Sequence, residues 1–147
     1  MRDMISSKQF VHLGTLALSG TTPGASAWVD TRGFDTCTMV LVNNTITDAG
    51  TAAGFTATVQ HSDTTAAADA AAITAADSVT GAISIAVTDD AADDVTAGGI
   101  GYKGSKRYVR MNIVGTTGTN AGVSVYGLVN KPARGPTTFI GTKVAAT

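Results

Sequence analysis

The sequence predicts an all-β fold, a single-domain β-sandwich of jelly-roll type with about seven or eight strands. Apolar and polar residues alternate in several short segments, and clusters of Gly, Asn, Asp and Thr separate these segments at sandwich-like spacings. The chain has 147 residues, of which 44% are hydrophobic and only 5% are aromatic. This length suits one domain, whose core must be built from small and β-branched side chains.

The first half of the chain contains the clearest alternation. FVHLGTLALSG at 10–20 predicts a first strand, and Pro23-Gly24 marks the turn that follows. TCTMVLVNN at 36–44 and GFTATVQHS at 54–62 predict two more strands. In the segment 36–44 both sets of alternating side chains are largely apolar, which predicts a central strand covered on both sides.

The second half mixes strands with ambiguous segments. The Ala-rich stretch 64–81 leaves two alternatives open, a short helix over 66–73 or a loop that leads into another strand. AISIAVTDD at 82–90 predicts a strand, and DDAADDVTAGGIG at 89–101 predicts a loop. KRYVRMNIVG and GVSVYGLVN predict two strands joined as a hairpin by the Gly-rich segment 115–122.

The core domain is predicted to span residues 10–136, with PARGP at 132–136 ending the last strand. Residues 1–9 and 137–147 are short, polar and outside the core pattern. We therefore expect an N-terminal arm and a C-terminal arm that reach across to neighbouring subunits.

Charge and composition weigh against several classes of protein. Charged residues make up 14% of the chain and nearly cancel, to a formal charge of -1. A nucleic-acid-binding domain usually has a basic excess, so nucleic acid is an unlikely partner. Cys37 is the single cysteine, which excludes an internal disulfide and predicts a small buried side chain. Met-Arg-Asp at the start lacks the apolar region of a signal peptide, and no apolar run could span a membrane. We therefore expect assembly in a host cytoplasm, with no membrane partner.

No pattern of residues indicates catalysis. GxSxG, HExxH and P-loop motifs do not occur in the sequence. His12 and His61 are far apart and have no second ligand at metal-binding spacing. We therefore expect a protein that is not an enzyme and that uses no cofactor and no metal.

The basic stretch GYKGSKRYVRMNIVG at 101–115 holds the first group of candidate contact residues. These are Lys103, Lys106, Arg107, Tyr108 and Arg110. Strand alternation places Val109, Met111 and Ile113 on the core face and Tyr108, Arg110 and Asn112 on the other face. We interpret the basic residues as docking groups for a neighbouring subunit or for a capsid. A nucleic-acid site is the weaker alternative, because a second basic element is missing.

The acidic loop supplies the second group. It contains Asp89, Asp90, Asp93 and Asp94, which could meet the basic strand of a neighbour. Calcium binding is an open alternative, but the ligand spacing of an EF-hand is absent.

WVDTRGFDT at 28–36 predicts a structural corner. Gly33 marks a bend, and Asp30 and Arg32 would share one face of a strand. They could pair with each other's neighbours or lock the corner to another strand.

Three segments together resemble a known family. D-T-R-G-F at 30–34, His61-Ser62-Asp63 and the run Y-x-G-x-K-R-Y-V-R at 102–110 are similar to the capsid cement (decoration) proteins of tailed bacteriophages. The resemblance covers roughly residues 28–136. It implies a jelly-roll virion protein that forms a homo-oligomer, a dimer or trimer, binds the capsid exterior and bridges major capsid subunits.

Two other functions remain open. One is another β-rich virion component, such as a head-tail connector or a tail-tube protein. The other, less favoured, is a glycan- or nucleic-acid-binding module.

Overall fold

The computed structural model of the chain describes residues 8–50, 54–90 and 96–130, which form two packed antiparallel sheets. Two single-turn 3-10 helices, Ala67–Asp69 and Ala75–Asp77, are the helical segments among these residues, so no helical membrane span is found in them. The strands are β1 (Lys8–Ser19), β2 (Gly24–Ala25), β3 (Val29–Asp30), β4 (Thr36–Asp48), β5 (Phe55–Ser62), β6 (Ala71–Ala72), β7 (Ser84–Val87), β8 (Thr96–Tyr102), β9 (Tyr108–Val114) and β10 (Asn120–Asn130).

The strand order is that of a jelly roll. Sheet I has the order β1-β10-β4-β8, and sheet II has the order β2-β9-β5-β6, with β3 also pairing with β9 and β7 with β5. If β2 and β3 count as one interrupted edge strand, the pairs β1·β10, β2/β3·β9, β4·β8 and β5·β7 are nested within one another. This nesting is the double Greek key of a jelly roll, so the predicted fold class is confirmed.

The core lies between the sheets and is built from the inward rows of each strand. Val109, Met111 and Ile113 on β9 are fully buried, as the alternation predicted. Phe55 on β5 and Met39 on β4 are also fully buried. Burial of each such side chain stabilises the fold by about 1.5–3 kcal/mol, so these rows hold the two sheets together.

Cys37 faces this core, as predicted. Its side chain is buried on β4, and burial raises the pKa of its thiol to about 12. Desolvation disfavours the thiolate, so this cysteine is a packing residue and a poor nucleophile.

The prediction of a loop at 89–101 is wrong for its second half, because residues 96–102 form β8 and pair with β4. Glycine is depleted in strands, and Gly98, Gly99 and Gly101 misled the prediction. A Cβ at Gly101 would lie 3.0 Å from the Val79 side chain. The glycines therefore allow neighbouring residues to approach the strand closely.

The hairpin predicted at 115–122 is also wrong. β9 belongs to sheet II and β10 to sheet I, so the Gly-rich connection crosses from one sheet to the other. A Cβ at Gly115 would lie 2.4 Å from the carbonyl oxygen of Gly20, and Gly118 has a φ of 93°. These glycines serve a tight crossing, which short-range sequence signals do not distinguish from a hairpin.

Strand β4 is central within sheet I, as predicted, but the described residues cover only one of its faces. Cys37, Met39 and Leu41 are buried, whereas Val40 and Val42 on the opposite face remain half-exposed. The prediction of cover on both sides is therefore wrong for the described part of the chain. A jelly roll has two layers, so each sheet buries one face.

The Ala-rich stretch contains the two 3-10 turns and the two-residue strand β6, so the helix over 66–73 is wrong and the loop alternative is correct. The predicted arms lie largely outside the described residues, with Lys8 and Gln9 of the first arm already part of β1. The segments 132–136 and 137–147 also lie outside them.

Candidate assembly interface

The described Lys and Arg residues all lie at one end of the sandwich, which we call the charged end. Here β1, β4 and β9 begin and β5, β8 and β10 end. These cations are Lys8, Arg32, Lys103, Lys106, Arg107 and Arg110. Antiparallel pairing thus gathers basic residues that are far apart in sequence, and it brings the predicted basic group together with two more cations.

A buried tyrosine organises the loop that carries Lys103 and Lys106. Tyr102 is 3% exposed, and its hydroxyl lies 3.0 Å from His61 Nδ1 and accepts a hydrogen bond of 2.9 Å from the backbone N–H of Lys106. A Cβ at Gly104 would lie 2.5 Å from the same hydroxyl. Burial raises the pKa of Tyr102, so the phenol stays protonated. The loop is therefore packed on a fixed side chain that links the two sheets.

Arg107 closes the predicted corner. Its Nε lies 3.0 Å from Asp30 Oδ1, and its Nη2 lies 2.6 Å from Asp30 Oδ2. Asp30 Oδ1 also accepts the backbone N–H of Arg32 at 3.0 Å. The hydrogen bonds from Arg107 hold the pKa of Asp30 below its ordinary value, since they favour the carboxylate. Asp30 therefore locks the corner to the start of β9, one of the two arrangements that the sequence left open.

Arg110 has partners on two other segments. Its guanidinium lies 4.5 Å from the centre of the Trp28 ring, and its Nε donates to Gln60 Oε1 at 2.9 Å. Trp28 Nε1 in turn donates to the carbonyl oxygen of Thr65 at 2.9 Å. Burial lowers the pKa of Arg110, although the group remains a cation. The stack fixes Arg110 in the outward row of sheet II.

The remaining basic residues are more exposed. Lys106 pairs with Asp63, and the two side chains are 43% and 62% exposed. Tyr108 lies under the guanidinium of Arg107, at 4.7 Å from its ring centre, and Lys103 is exposed. Exposed ion pairs contribute at most about 1 kcal/mol, so a partner could exchange them at little cost. A contact of these residues with another subunit stays a prediction.

The acidic loop lies at the opposite end of the sandwich. Asp89 and Asp90 follow β7, and Asp90 Oδ1 accepts the backbone N–H of Ala49 at 2.6 Å. The length of β9 separates the two ends by about 20 Å. Asp93 and Asp94 lie outside the described residues. Within one copy the described acidic residues of this loop therefore do not meet the basic group.

Metal binding has no support in the part of the chain that the structure describes. In residues 8–50, 54–90 and 96–130, no group of three or more His, Cys, Asp or Glu side chains could hold a metal ion. The calcium alternative therefore gains nothing from the described half of the acidic loop.

An open cleft of about 350 Å³ lies beside the charged end, between the end of β5 and β6. Asp63 and Lys106 form their ion pair at its wall, and Thr64 Oγ1 donates to Asp69 Oδ2 at 2.5 Å. The polar side chains of the cleft are hydrogen-bonded or paired to one another. A partner that binds there would have to make polar contacts with them.

A second surface, on the outer side of sheet I, was not identified as a site from the sequence. We call it the apolar outer face; its apolar residues are Phe10, Val40, Val42, Tyr126 and Leu128, and the polar residues His12, Thr15 and Ser124 lie beside them. Phe10 is 69% exposed and packs edge-on against Tyr126, with ring centres 6.3 Å apart. The two-sided apolar pattern of β4 was the signal that could have revealed this surface.

Sequence reasoning also missed the partners of the basic group. Asp63, Gln60 and Tyr102 come from different strands, and Gln60 lies 50 residues from Arg110 in the chain. Sequence spacing carries no information about such pairs, because only the sheet pairing brings them together.

Comparison with known proteins shows that this chain shares its fold with a solved structure but does not assign it to a family. No protein-family model matches the chain, and a search of curated proteins found no relative. The crystal structure of PBSX exported protein XepA is similar over all of this chain, with a TM-score of 0.58 and 14% identity. The chain spans 45% of that protein's length. At this identity the likeness shows a shared β-rich fold.

A second solved structure, described as Bacillus endospore appendages that form disulfide-linked pili, covers 89% of this chain and 96% of its own. Its identity is 14% and its TM-score is 0.34, which is too low for an argument. Neither structure is described as a decoration protein.

Proposed function

We propose that this chain is a structural protein of a bacteriophage virion, which binds the outer surface of the capsid and bridges major capsid subunits. The observation that carries the proposal is the unequal distribution of charge along the jelly roll. All the described cations lie at one end, together with Asp30, Asp35, Asp63, Asp69 and Asp77, whereas the described charged residues of the other end are the acids Asp48, Asp89 and Asp90. A subunit with unlike ends suits contacts with unlike neighbours in a closed shell.

The contacts at the charged end support binding by many weak copies. Its ion pairs are exposed, so each contact with a capsid subunit would be modest and sensitive to salt. Avidity over a shell of repeated sites can replace the affinity of a single site. The fold shared with a PBSX exported protein also fits a role outside the cell, as a virion component has.

Co-sedimentation with purified capsids tests the proposal. Full-length chain should sediment with capsids, and the bound amount should fall as salt is raised. Lys103→Glu should weaken binding, because it reverses an exposed charge at the charged end. Asn120→Glu is the matched control at the opposite end and should bind like the natural chain.

The number of bound copies separates the proposal from its main alternative. A cement protein should cover the shell in many copies, whereas a connector or tail-tube protein would occupy one ring or the tail. Absence of binding, or equal binding of Lys103→Glu, would overturn the proposed contact. A gel shift at low salt that weakens as salt is raised would instead favour a nucleic-acid partner.

A further inference from the structure

The apolar outer face of sheet I is open in the described chain. Phe10 is 69% exposed, and Val40, Val42 and Leu128 are half-exposed. Among the described residues, no Asp, Glu, Lys or Arg side chain projects from the middle of this face. An outward-facing apolar cluster of this kind is a candidate contact site.

The opposite sheet has a different outer side. Arg110 and Gln60 bond to each other there, and Thr58 and Asn112 occupy the neighbouring positions. These polar side chains suit contact with water. Trp28, which stacks on Arg110, and Val114 also lie on the outer side of sheet II, but its centre is polar. The centre of the outer side of sheet I is apolar and is therefore suited to cover.

Residues beyond Asn130 are suited to supply that cover. Asn130 pairs with Lys8 on one side and with Thr36 on the other, so the chain leaves sheet I next to the apolar outer face. The following segment, residues 131–147, contains three large apolar residues. These are Phe139, Ile140 and Val144.

The linker 131–136 favours a neighbouring copy over the same copy. Pro132 and Pro136 bias the residues before them toward extended conformations. Six extended residues span about 20 Å, whereas Leu128 lies only about 7 Å back along β10 from Asn130. A linker with that bias would start the segment 137–147 farther from Asn130 than Leu128 lies, which favours an apolar face on a neighbouring copy.

The edge strand β8 beside the apolar outer face also leaves room for an extended segment. On β8, Gly99 lies opposite Val40 and contributes no side chain to the outer side. Glycine within a strand allows another backbone to approach closely.

We propose that the apolar outer face of sheet I binds residues 137–147 of a second copy of this chain. The inference builds on the proposed assembly role but concerns only contacts between copies. Purified protein without capsids tests it, so its failure would leave capsid binding to be judged separately.

The test uses two single-cysteine variants that differ in an affinity tag. Val40→Cys lies in the apolar face, and Ile140→Cys lies in the segment that is proposed to dock. The two proteins are mixed, incubated to allow exchange and mildly oxidised, so that a disulfide between them joins two copies. Thr58→Cys mixed with Ile140→Cys is the matched control, since Thr58 occupies a central, half-exposed position on the outer side of sheet II. Native Cys37 is buried and provides the background.

We expect the Val40→Cys mixture to give about tenfold more cross-linked dimer than the Thr58→Cys mixture, since docking raises the local concentration of the two thiols. The variant Phe139→Ser/Ile140→Ser should sediment more slowly than the natural chain. At a concentration low enough for both proteins to be monomeric, the two should have the same unfolding midpoint. Equal yields in the two mixtures would overturn the proposal. So would a disulfide that forms only within one chain when Val40→Cys and Ile140→Cys are combined.

Discussion

The charged end and the apolar outer face of sheet I differ in how many of their side chains have partners or cover within a single copy of the chain. At the charged end Arg107, Lys106 and Arg110 each have a partner in the same copy. On the apolar face, Phe10 and Val40 have no comparable cover from the described residues. A partner at the charged end must exchange existing bonds, whereas a partner on the apolar face gains from burial.

On the basis of this difference we propose separate roles for the two surfaces. The charged end would orient the subunit and make its binding depend on salt, because charge complementarity governs encounter and register more than affinity. The apolar face would supply most of the binding free energy between copies. Four substitutions test whether the two surfaces differ in this way.

The largest expected effect concerns the shape of the charged end. Gly104→Ala should lower the free energy of unfolding by about 1–3 kcal/mol, because the added Cβ would collide with the buried Tyr102 ring. Chemical denaturation measures this loss. Ser105→Ala, at the exposed neighbouring position, is the control and should be close to neutral. An equal effect of both changes would show that the loop is not fixed on Tyr102.

The next effect concerns the apolar face. Val40→Asp should weaken association between copies by about tenfold or more, because binding would then bury an unpaired carboxylate. Sedimentation velocity over a range of concentrations measures association. Thr58→Asp places the same charge on the outer side of sheet II and should leave association unchanged. If the two variants behave alike, the two outer sides do not differ in function.

A smaller effect is expected for Arg110→Ala. Loss of the Trp28 stack and of the Gln60 hydrogen bond should cost the isolated protein about 1 kcal/mol or less. Capsid binding should weaken more than folding does. Asn112→Ala, in the same outward row, is the control for both measurements. Unfolding of the isolated Arg110→Ala protein would show a structural role and contradict the docking role.

The smallest effect concerns Asp30. Its folded pKa lies below the ordinary value of 3.8, so its pairing stabilises the fold above that pH and is lost as pH falls through the folded pKa. Asp30→Asn should cost less than about 1 kcal/mol at neutral pH, since the side chain is 41% exposed. Denaturation at neutral and at acid pH measures this, and the gap between the two proteins should close in acid. A difference in unfolding free energy that persists in acid would mean that Asp30 stabilises the fold through packing and not through its charge.

The sequence predicted the strands in which apolar and polar residues alternate, because this alternation shows which face of a strand is buried. Val109, Met111 and Ile113 were placed on the core face from this pattern alone. Prediction from the pattern failed at β8, where Gly98 and Gly99 give the segment the composition of a loop. The segment is nevertheless a strand, because it pairs with β4 and packs closely against Ile85. Tertiary pairing overrides local preference at such positions.

The candidate site was predictable only as a set of basic residues. Their clustering at one end follows from strand directions and from the packing of the two sheets, and the sequence does not show how the sheets pack. Their partners, such as Asp30 for Arg107, come from strands that are 77 residues apart in sequence. The apolar face was present in the pattern of β4 but was interpreted only as a sign of a central strand covered on both sides.

The central claim is that assembly covers the apolar outer face of sheet I and leaves the outer side of sheet II open. The rate of thiol labelling of Val40→Cys and of Thr58→Cys in the assembled full-length protein tests it most directly, since both positions are half-exposed in the single chain. The account predicts that Val40→Cys reacts about tenfold more slowly, in proportion to the fraction of time that the face is covered. Equal labelling rates at the two positions would contradict it.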